Sequence, residues 1–490
     1  MATFPGFGGG SQSLFLGFSV VAVEEAVREK VYVINYRTQR SLSSISQDLG
    51  RYVAIFLSAL GAGITLGFAI SDATYDDAHS INGVITLVSR FCALIGTYLV
   101  LVSLLMIARI PWVEKSIGFD KLVAYHRKLG PIVLSLIAGH VLLVVFAYSR
   151  LDQRSYLEEI KSLINGYDWM LPAAVSLVLM VIIGATSANV FRRKLSYEHW
   201  WITHLLSYFA IALAFMHQIL TGSLFLFNEV ARDWWIGLYI YTGIAMVLWR
   251  FLLPLAKSLR HRLKVDHVEP ESPGVVSVYL SGKNLDKLHA QGGNFFGWRF
   301  LTKGIWMQTH PYSLSAPPEN SMMRITVKNL GDHSAGLAKL KPGVRVMIEG
   351  PYGILTAKRA VGKKILLIGG GIGITPLRAL LEEFPDDAQI DLIYRVVREE
   401  DLALKSELDE IEESDQIKIH YLIGTPEKFP MQAQDLLKLV PHIAQCDVFV
   451  CGPSGLAKIL RHAVEGLGVP SEKFHHEAFA FNTAGSRKKK

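Results

Sequence analysis

Two apolar stretches, each with two histidines inside it, decide the fold. The first is LVAYHRKLGPIVLSLIAGHVLLVVFAY at residues 122–148, and the second is WWITHLLSYFAIALAFMHQIL at residues 200–220. The histidines, 14 residues apart in the first stretch and 13 in the second, are His126, His140, His204 and His217. Because a helix rises about 1.5 Å per residue, each pair spans roughly 20 Å and fits within a bilayer core about 30 Å thick.

The apolar content of the chain is too high for an ordinary soluble enzyme. Half of the 490 residues are hydrophobic, and the excess lies in the first half of the chain. Windows of about 20 residues predict six transmembrane helices, at 51–71, 81–108, 122–148, 170–190, 200–220 and 234–255. The stretch that follows, about 230 residues, has ordinary charge density and is long enough for two soluble domains.

Basic residues in the loops predict the orientation. Arg and Lys are frequent after predicted helices two, four and six, whereas the opposite side carries only Arg150, Arg154, Lys161 and Arg232. By the positive-inside rule, the N-terminus and the soluble half face the cytoplasm, and we expect an integral protein of the plasma or inner membrane. The net charge of +7 follows from this orientation, so we expect no nucleic-acid partner. Residues 1–50 are interpreted as a cytoplasmic N-terminal extension, because no basic region precedes their short apolar run.

The four histidines predict two haem-binding levels. Both host helices run from the cytoplasm outward, so His126 shares a depth with His204, and His140 shares a depth with His217. A b-type haem takes two opposed imidazoles at one depth. The alternative is that each histidine hydrogen-bonds a neighbouring helix. The spacing of 13 is a difficulty, because 3.6 residues per turn leave those two side chains about 140° apart around the helix.

Arg90 falls in the outer half of the second predicted helix, where a lone guanidinium is costly unless it is paired. A haem propionate, or an anionic acceptor near the outer haem, would pair with it. The alternative is that its side chain extends toward the outer surface.

After residue 263 the chain changes to short strand-like runs separated by Gly and Pro, which predict an antiparallel β-barrel. His310-Pro311-Tyr312-Ser313 lies at its middle. The tyrosine ring is suited to stack on a flavin and the serine hydroxyl to reach flavin N5, although such a pair is also ordinary in a barrel core. The segment KNLGDHS at 328–334 combines a basic side chain, a glycine turn and a hydroxyl suited to a pyrophosphate. Its candidate binding residues are Lys328, Gly331, His333 and Ser334.

A strand, a glycine-rich loop and a helix follow in the order expected of a dinucleotide site. The run KKILLI at 363–368 leads into GGGIGITP at 369–376, and glycines there let the backbone approach a phosphate at a helix N-terminus. The candidate binding residues of this loop are Gly370, Gly371, Gly373, Thr375 and Pro376. Further alternation at 390–394, 417–421 and 447–453 predicts a parallel sheet with ligands at the strand C-termini.

Two more groups of residues follow strands of that predicted sheet. Arg395 and Arg398 stand where a ribose 2′-phosphate would be recognised, and solvated surface arginines are the equal alternative. Cys451-Gly452-Pro453 follows a later strand and is placed to face a nicotinamide, the alternative being a small buried cysteine.

These motifs together resemble a known family. The soluble half resembles the ferredoxin–NADP reductase superfamily, and residues 51–481 resemble the ferric reductase/NADPH oxidase family of transmembrane flavocytochromes. The 310–313 segment is similar to the family's His-Pro-Phe-Thr flavin motif, and Glu477-Ala478-Phe479 to its C-terminal Glu-x-aromatic, whose ring covers the flavin. Here 11 residues follow Phe479. In animal NADPH oxidases a further histidine lies one turn beyond the upper ligand, where this chain has Val144, while Arg90 resembles the family's arginine near the outer haem.

The resemblance implies a multidomain membrane protein. Its expected parts are an extension at 1–50, a six-helix haem domain at 51–258, a β-barrel FAD domain at 259–360 and an α/β NAD(P) domain at 361–490. The implied cofactors are FAD, two haem b and NADPH or NADH, and the residues expected at the reacting groups are Phe479, Cys451 and Arg90. Besides membrane lipid and NAD(P)H, the partner is a small extracytoplasmic acceptor. Dioxygen, giving superoxide, is the leading expectation, and a ferric or cupric chelate, or a partner protein that takes the electrons, are the alternatives.

Overall fold

The structure is a computed structural model that describes residues 49–72, 79–319, 321–414 and 416–478. The predictions made for residues 1–48 and for Phe479 lie outside the described residues. The described residues from Gly50 onward belong to one compact unit.

Six helices are long and apolar enough to cross a membrane, which confirms the predicted number and order. They are α1 (Leu49–Ser71), α2 (Ile81–Ile107), α3 (Phe119–Asp152), α4 (Met170–Ser187), α5 (Tyr197–Thr221) and α6 (Glu229–His261). Shorter helices between them span Pro111–Ile117, Tyr156–Gly166, Asn189–Arg192 and Ser223–Phe227. Large apolar side chains on the outer faces are exposed, including Leu142 at 71% and Val178 at 59%, as expected of surfaces that contact lipid.

Helix α6 extends further toward the soluble half than its predicted limit of residue 255. It contains a π-helical segment, Met246–Leu252, followed by an α-helical turn that begins at Leu253. Pro254 has no N–H to donate and its ring crowds the preceding turn, and π segments are a common way to absorb such a disturbance. The segment carries Arg250 to the boundary with the soluble half.

Helix α2 packs along α3, and α4 packs along α5. Gly96 on α2 permits one close approach, because a Cβ there would stand 3.2 Å from the Cβ of Leu136 on α3. Small residues allow such backbone approach between membrane helices. The consequence for the site is that short side chains on α2 can reach groups on α3.

The first soluble part is a six-stranded antiparallel sheet, as predicted. Its strands are β1 (Lys264–Ser272), β2 (Val275–Ser281), β3 (Phe295–Phe300), β4 (His310–Glu319), β5 (Met322–Lys328) and β6 (Val346–Tyr352), in the order β1-β2-β5-β4-β3-β6. A bridge between Lys264 and Arg345 brings the two edges together. Phe296, Trp298 and Phe300 are fully buried inside the curled sheet, and helix α7 (Asp332–Leu337) follows β5.

The second soluble part is a five-stranded parallel sheet. Its strands are β7 (Lys364–Gly370), β8 (Gln389–Val396), β9 (Ile417–Ile423), β10 (Asp447–Gly452) and β11 (Phe474–Ala478), in the order β11-β10-β7-β8-β9. Its helices are α8 (Ile374–Leu381), α9 (Lys405–Glu412), α10 (Ala433–Leu439) and α11 (Ser454–Gly466). The strand order reverses between β7 and β10, and such sheets bind ligands at the carboxyl ends of the strands where the order reverses.

Candidate functional site

The rings of the lower pair of histidines lie close together, roughly perpendicular to each other. The ring centroids of His126 on α3 and His204 on α5 are 6.1 Å apart, and their planes are 78° apart. Two imidazole nitrogens, each about 2 Å from one metal ion, would place the ring centroids roughly 6 Å apart. The observed separation therefore matches two axial ligands on opposite sides of one iron.

The upper histidines also lie near each other, because His217 on α5 interacts electrostatically with His140 on α3. The spacing of 13 in α5 therefore does not prevent His204 and His217 from each approaching a histidine of α3. If the haems at the two levels are oriented differently about the bundle axis, the two ligands on one helix need not lie on the same face of that helix.

Each of the four rings has a hydroxyl at Nδ1. The Nδ1–Oγ distances are 2.7 Å for His126 and Ser103, 2.8 Å for His140 and Ser89, 3.3 Å for His204 and Ser187, and 2.9 Å for His217 and Thr221. In metal sites, hydrogen-bond partners at the other ring nitrogen orient the ligating histidines and set their tautomer. Within the described residues no hydrogen bond reaches Nε2 of any of the four rings.

The hydrogen bonds around Nδ1 favour one tautomer. The Ser89 hydroxyl lies 2.9 Å from the His140 carbonyl, and the Thr221 hydroxyl lies 2.6 Å from the His217 carbonyl. When each hydroxyl donates to that carbonyl, the imidazole Nδ1–H donates to the hydroxyl and the lone pair is on Nε2. A backbone carbonyl, that of Ser103, also lies 3.3 Å from Nδ1 of His126. Three rings therefore present Nε2 as a ready metal ligand.

The serine partners on α2 were not anticipated from the sequence, although a signal was present. Ser89 and Ser103 are 14 residues apart, the same interval that separates His126 from His140. Because α2 and α3 are consecutive helices that pack along each other, equal spacing on both lets each serine meet one histidine. The pairing also places the two histidine levels at the depths of these serines.

Arg90 has a partner that neither sequence-based interpretation included. Its Nη1 lies 3.7 Å from Oδ2 of Asp72, just beyond the end of α1, and Asp72 also accepts a hydrogen bond from Ser223 at 3.1 Å. Since Arg90 adjoins Ser89, the charged pair flanks the upper histidine level. Its role toward an acceptor stays a prediction.

The predicted flavin-binding residues form a connected group on β4 and α7. The Tyr312 hydroxyl is 3.1 Å from Nδ1 of His333, and the His333 ring stacks on His310 at 3.7 Å. Burial lowers the pKa of His310 to about 4 and, together with His310, lowers the pKa of His333 to about 3. Both rings are neutral at physiological pH.

Two buried polar atoms of this group have no hydrogen-bond partner in the described part of the chain. They are the Ser313 hydroxyl, on a residue that is 4% exposed, and Nε2 of His333. An unmatched buried polar group is costly, and a flavin beside Tyr312 would offer both donors and acceptors. The residues present therefore fit a bound flavin, with Pro311 directing β4 into the site.

The segment predicted to hold a pyrophosphate is held by contacts within its own turn and with the α/β part. Ser334 accepts hydrogen bonds from the backbone N–H of Leu330 and Gly331 at 2.8 and 3.1 Å, so it caps its own turn. Lys328 pairs with Asp401 of the α/β part at 2.9 Å. Arg398, predicted to read a different phosphate, lies 3.3 Å from the other oxygen of the same carboxylate. Hydrogen bonding to Lys328 lowers the pKa of Asp401, so one acidic residue joins two predicted phosphate ligands.

The glycine-rich loop packs directly on the Cys451-Gly452-Pro453 turn. A Cβ at Gly373 would stand 2.3 Å from the Cys451 carbonyl oxygen, and one at Gly370 would stand 3.2 Å from Pro453. Gly371 differs, because it has a φ of +56° and open space around its Cα. The loop therefore has one closed face toward β10 and one open face suited to a phosphate.

The remaining nucleotide candidates are placed as follows. Thr375 donates to the Ile372 carbonyl at 3.0 Å within the loop, and Pro376 lies in the first turn of α8. Nε of Arg395 is buried without a hydrogen-bond partner in the described part of the chain, so this side chain is available to a ligand. Cys451 is fully buried and burial raises the pKa of its thiol well above the usual range, which agrees with the alternative of a packed cysteine.

Strand β11 ends beside this loop. Glu477 pairs in register with Cys451, and a Cβ at Gly353 would stand 3.0 Å from both of its carboxylate oxygens. Phe479 follows two residues later, beyond the last described residue, so its shielding of the flavin stays a prediction.

A charged cluster joins the membrane helices to the barrel and was also missed. The Glu349 carboxylate on β6 forms ion pairs with Arg109, after α2, and with Arg250 of the π-helical segment, the latter at 2.7 Å. Arg109 also donates to the Tyr352 hydroxyl at 2.6 Å. Sequence reasoning used Arg109 only as a loop charge, because nothing local in the sequence indicates the acid that it meets.

Comparison with known protein families agrees with this two-part architecture. Residues 92–215 match the ferric reductase like transmembrane component, and residues 367–462 match the oxidoreductase NAD-binding domain. The chain therefore contains a segment similar to a ferric-reductase-like transmembrane component and a later segment similar to an oxidoreductase NAD-binding domain.

Curated relatives match part of the chain. NADH-cytochrome b5 reductase 1 of Candida glabrata is 33% identical over 157 residues, which is 29% of this chain and 55% of the relative. NADH-cytochrome b5 reductase 2 of Candida albicans is 34% identical over 144 residues, which is 26% of this chain and 48% of the relative. The chain therefore spans about half the length of these relatives.

Solved structures are also similar. The cytochrome P450 reductase GcoB of Amycolatopsis has 21% identity and a TM-score of 0.39, with 45% of this chain and 69% of that chain covered. The flavohem-like FAD/NAD binding domain of nitric oxide dioxygenase from Vibrio cholerae has 22% identity and a TM-score of 0.37, with 45% and 99% covered.

Proposed function

We propose that this protein carries electrons from cytoplasmic NAD(P)H through FAD and two b-type haems to a one-electron acceptor on the opposite side of the membrane. The observation that carries the proposal is the pair of histidine levels. At the lower level the rings of His126 and His204 are 6.1 Å apart, and all four histidines have Nδ1 held by a hydroxyl. Hydrogen bonding to a neighbouring helix would not by itself bring the His126 and His204 rings to this separation.

The cofactors supply the electron chemistry when bound: a flavin links a two-electron nicotinamide donor to one-electron haem centres. The chain supplies position and electrostatics. His126 and His204 would hold the lower haem iron, and His140 and His217 the upper one. The Tyr312 ring would lie against the flavin, and the Ser313 hydroxyl would bond to a polar group of it. The open face of the loop at Gly371 would accept a phosphate of the nicotinamide dinucleotide.

Dioxygen is the proposed acceptor, because an exposed haem edge needs little binding apparatus to reduce it. A ferric chelate is the second candidate, and the match of residues 92–215 to a ferric-reductase-like component favours it. Detergent-purified protein supplied with FAD and NADPH separates the two. Superoxide-dismutase-sensitive reduction of cytochrome c supports dioxygen, whereas ferrozine-detected iron(II) that is insensitive to the dismutase supports the chelate.

The haem proposal has its own test. Purified protein should show a Soret band and a reduced α band typical of bis-histidine haem b, with about two haems per chain. Variants His126→Ala and His140→Ala should each lose one haem and keep the other. Protein that is colourless in the Soret region, or haem content that is unchanged in both variants, would rule the proposal out.

A further inference from the structure

We propose that Trp200 is a positioning residue for the lower haem ligand and forms the aromatic contact through which that site receives electrons from the flavin side. This inference rests on the proposed function.

The indole of Trp200 is held against His204. Their ring centroids are 5.3 Å apart with planes 24° apart, so the rings stack. Trp200 lies four residues before His204, which places it one helical turn nearer the cytoplasmic end of α5. The stacked indole therefore limits rotation of the imidazole on the side that faces the soluble half.

The same ring is fixed from two further directions. Its Nε1 donates to the Ser187 hydroxyl at 3.4 Å, and that hydroxyl is 3.3 Å from Nδ1 of His204. The guanidinium of Arg192 lies over the indole at 4.6 Å, within the range of a cation–π interaction. Ser187 thus joins Trp200 and His204 into one small network, and a change at Trp200 reaches the ligand through two contacts.

A continuous set of contacts leads from this helix to the flavin motif. Glu198, two residues before Trp200, accepts a hydrogen bond from the side chain of Gln308. The side-chain amide oxygen of Gln308, Oε1, accepts a hydrogen bond from Nε2 of His310 at 2.8 Å. His310 stacks on His333, which contacts the Tyr312 hydroxyl. The start of α5 is therefore docked on the residues that fit the flavin, and Trp200 lies in the same first turn of α5, one turn before His204.

The step is the transfer of one electron. The reduced flavin loses one electron, and ferric iron held by His126 and His204 gains it and becomes ferrous. No covalent bond forms or breaks, and Trp200 keeps its own oxidation state. The role of the indole is to fill the gap with a π system and to hold the axial ligand in place, which is what the chain can contribute to a cofactor reaction.

The test compares flavin reduction with haem reduction in anaerobic stopped-flow experiments that start with NADPH. In Trp200→Leu we expect haem reduction to slow by roughly 10–100-fold, as for loss of other groups that support a metal ligand, with flavin reduction unchanged. We also expect a shifted midpoint potential and altered low-spin EPR signal for one haem. The matched control is Phe209→Leu, because this aromatic of α5 is 56% exposed on the outer face and should behave as wild type.

Two milder variants keep the test decisive if Trp200→Leu binds no lower haem. Trp200→Phe keeps a ring but loses the Nε1 donor, and Ser187→Ala removes the shared hydroxyl. Each should retain haem, slow its reduction less than Trp200→Leu and change its EPR signal. Wild-type haem reduction and EPR in all variants that retain haem would overturn the role of Trp200. Wild-type protein without haem, or without NADPH-driven haem reduction, would instead contradict the proposed function.

Discussion

Replacing Glu349 with alanine removes the carboxylate that two arginines share where the membrane helices meet the barrel. The side chain of Glu349 is 13% exposed, and those of Arg109 and Arg250 are 11% and 27% exposed. Removal of one partner from a buried ion pair costs about 3–5 kcal/mol, because the remaining charge is left uncompensated. Arg250 retains some access to water and Arg109 keeps the Tyr352 hydroxyl, so we expect the lower end, about 3 kcal/mol.

That loss is large enough to separate the two halves measurably. At 1.4 kcal/mol for each factor of ten, about 3 kcal/mol raises the population in which the barrel has left the helices by roughly 100-fold. We expect a lower unfolding temperature in detergent, measured by intrinsic fluorescence. We also expect faster proteolysis near residues 258–264. We also expect slower flavin-to-haem transfer with unchanged flavin reduction, since the two centres are no longer held together.

The contribution of Glu349 to the stability of the junction depends on pH. Burial would raise the pKa of Glu349, but Arg109 and Arg250 outweigh it, so the net shift is downward. A carboxyl with a lowered pKa in the folded state stabilises it above its unfolded pKa of about 4.3. That stabilisation is lost as the pH falls through the lower folded value. The stability that Glu349 contributes, measured as the difference between wild type and Glu349→Ala, should therefore be fully present near neutral pH and decline in acid.

Glu400→Gln is the matched control, because Glu400 pairs with Arg398 at an exposed position where both side chains are more than half exposed. Surface pairs contribute about 0–1 kcal/mol, so its unfolding temperature should stay near that of wild type. Glu349→Gln should fall between the control and Glu349→Ala. The reasoning is refuted if Glu349→Ala and Glu400→Gln unfold at the same temperature and transfer electrons to haem equally fast.

Three further predictions concern the cofactor sites. Ser103→Ala removes the hydroxyl at Nδ1 of His126 and should weaken retention of the lower haem by roughly 10–100-fold. Haem content after dialysis, with Ser149→Ala as control, checks it, and equal retention in both would contradict it. Ser313→Ala should weaken FAD binding by about 1 kcal/mol, and identical flavin titration curves for variant and wild type would be the negative result. Gly373→Ala forces a Cβ to within 2.3 Å of the Cys451 carbonyl oxygen and should destabilise the α/β part by about 1–3 kcal/mol. Gly466→Ala, which meets open space, is its comparison in urea unfolding, and equal midpoints would count against it.

The elements of the fold could be predicted because each depends on local patterning. Long apolar runs predict the membrane helices, and alternating runs with glycine and proline predict the two sheets. The histidine pairing could be predicted for the same reason, since depth in a bilayer follows from position along a helix. The partners of charged residues could not be predicted, as Arg90 with Asp72 and Lys328 with Asp401 illustrate. Each of these ion pairs joins residues from separate elements. Many Asp and Glu residues of the chain could have paired with the same Arg or Lys.

The amino-acid order alone established six membrane helices, two levels of histidines and a glycine-rich nucleotide loop, because helical rise, alternation and turn preferences act over a few residues. The folded chain decided which groups complete the sites. Ser89 and Ser103 reach the α3 histidines because α2 and α3 pack closely. Glu349 pairs with Arg109 from the loop after α2 and with Arg250 from α6, and Trp200 stacks beside His204 near the point where α5 contacts the barrel. Contacts of this kind depend on how elements pack, and hydrogen bonds and ion pairs require distances of a few ångströms that only packing sets.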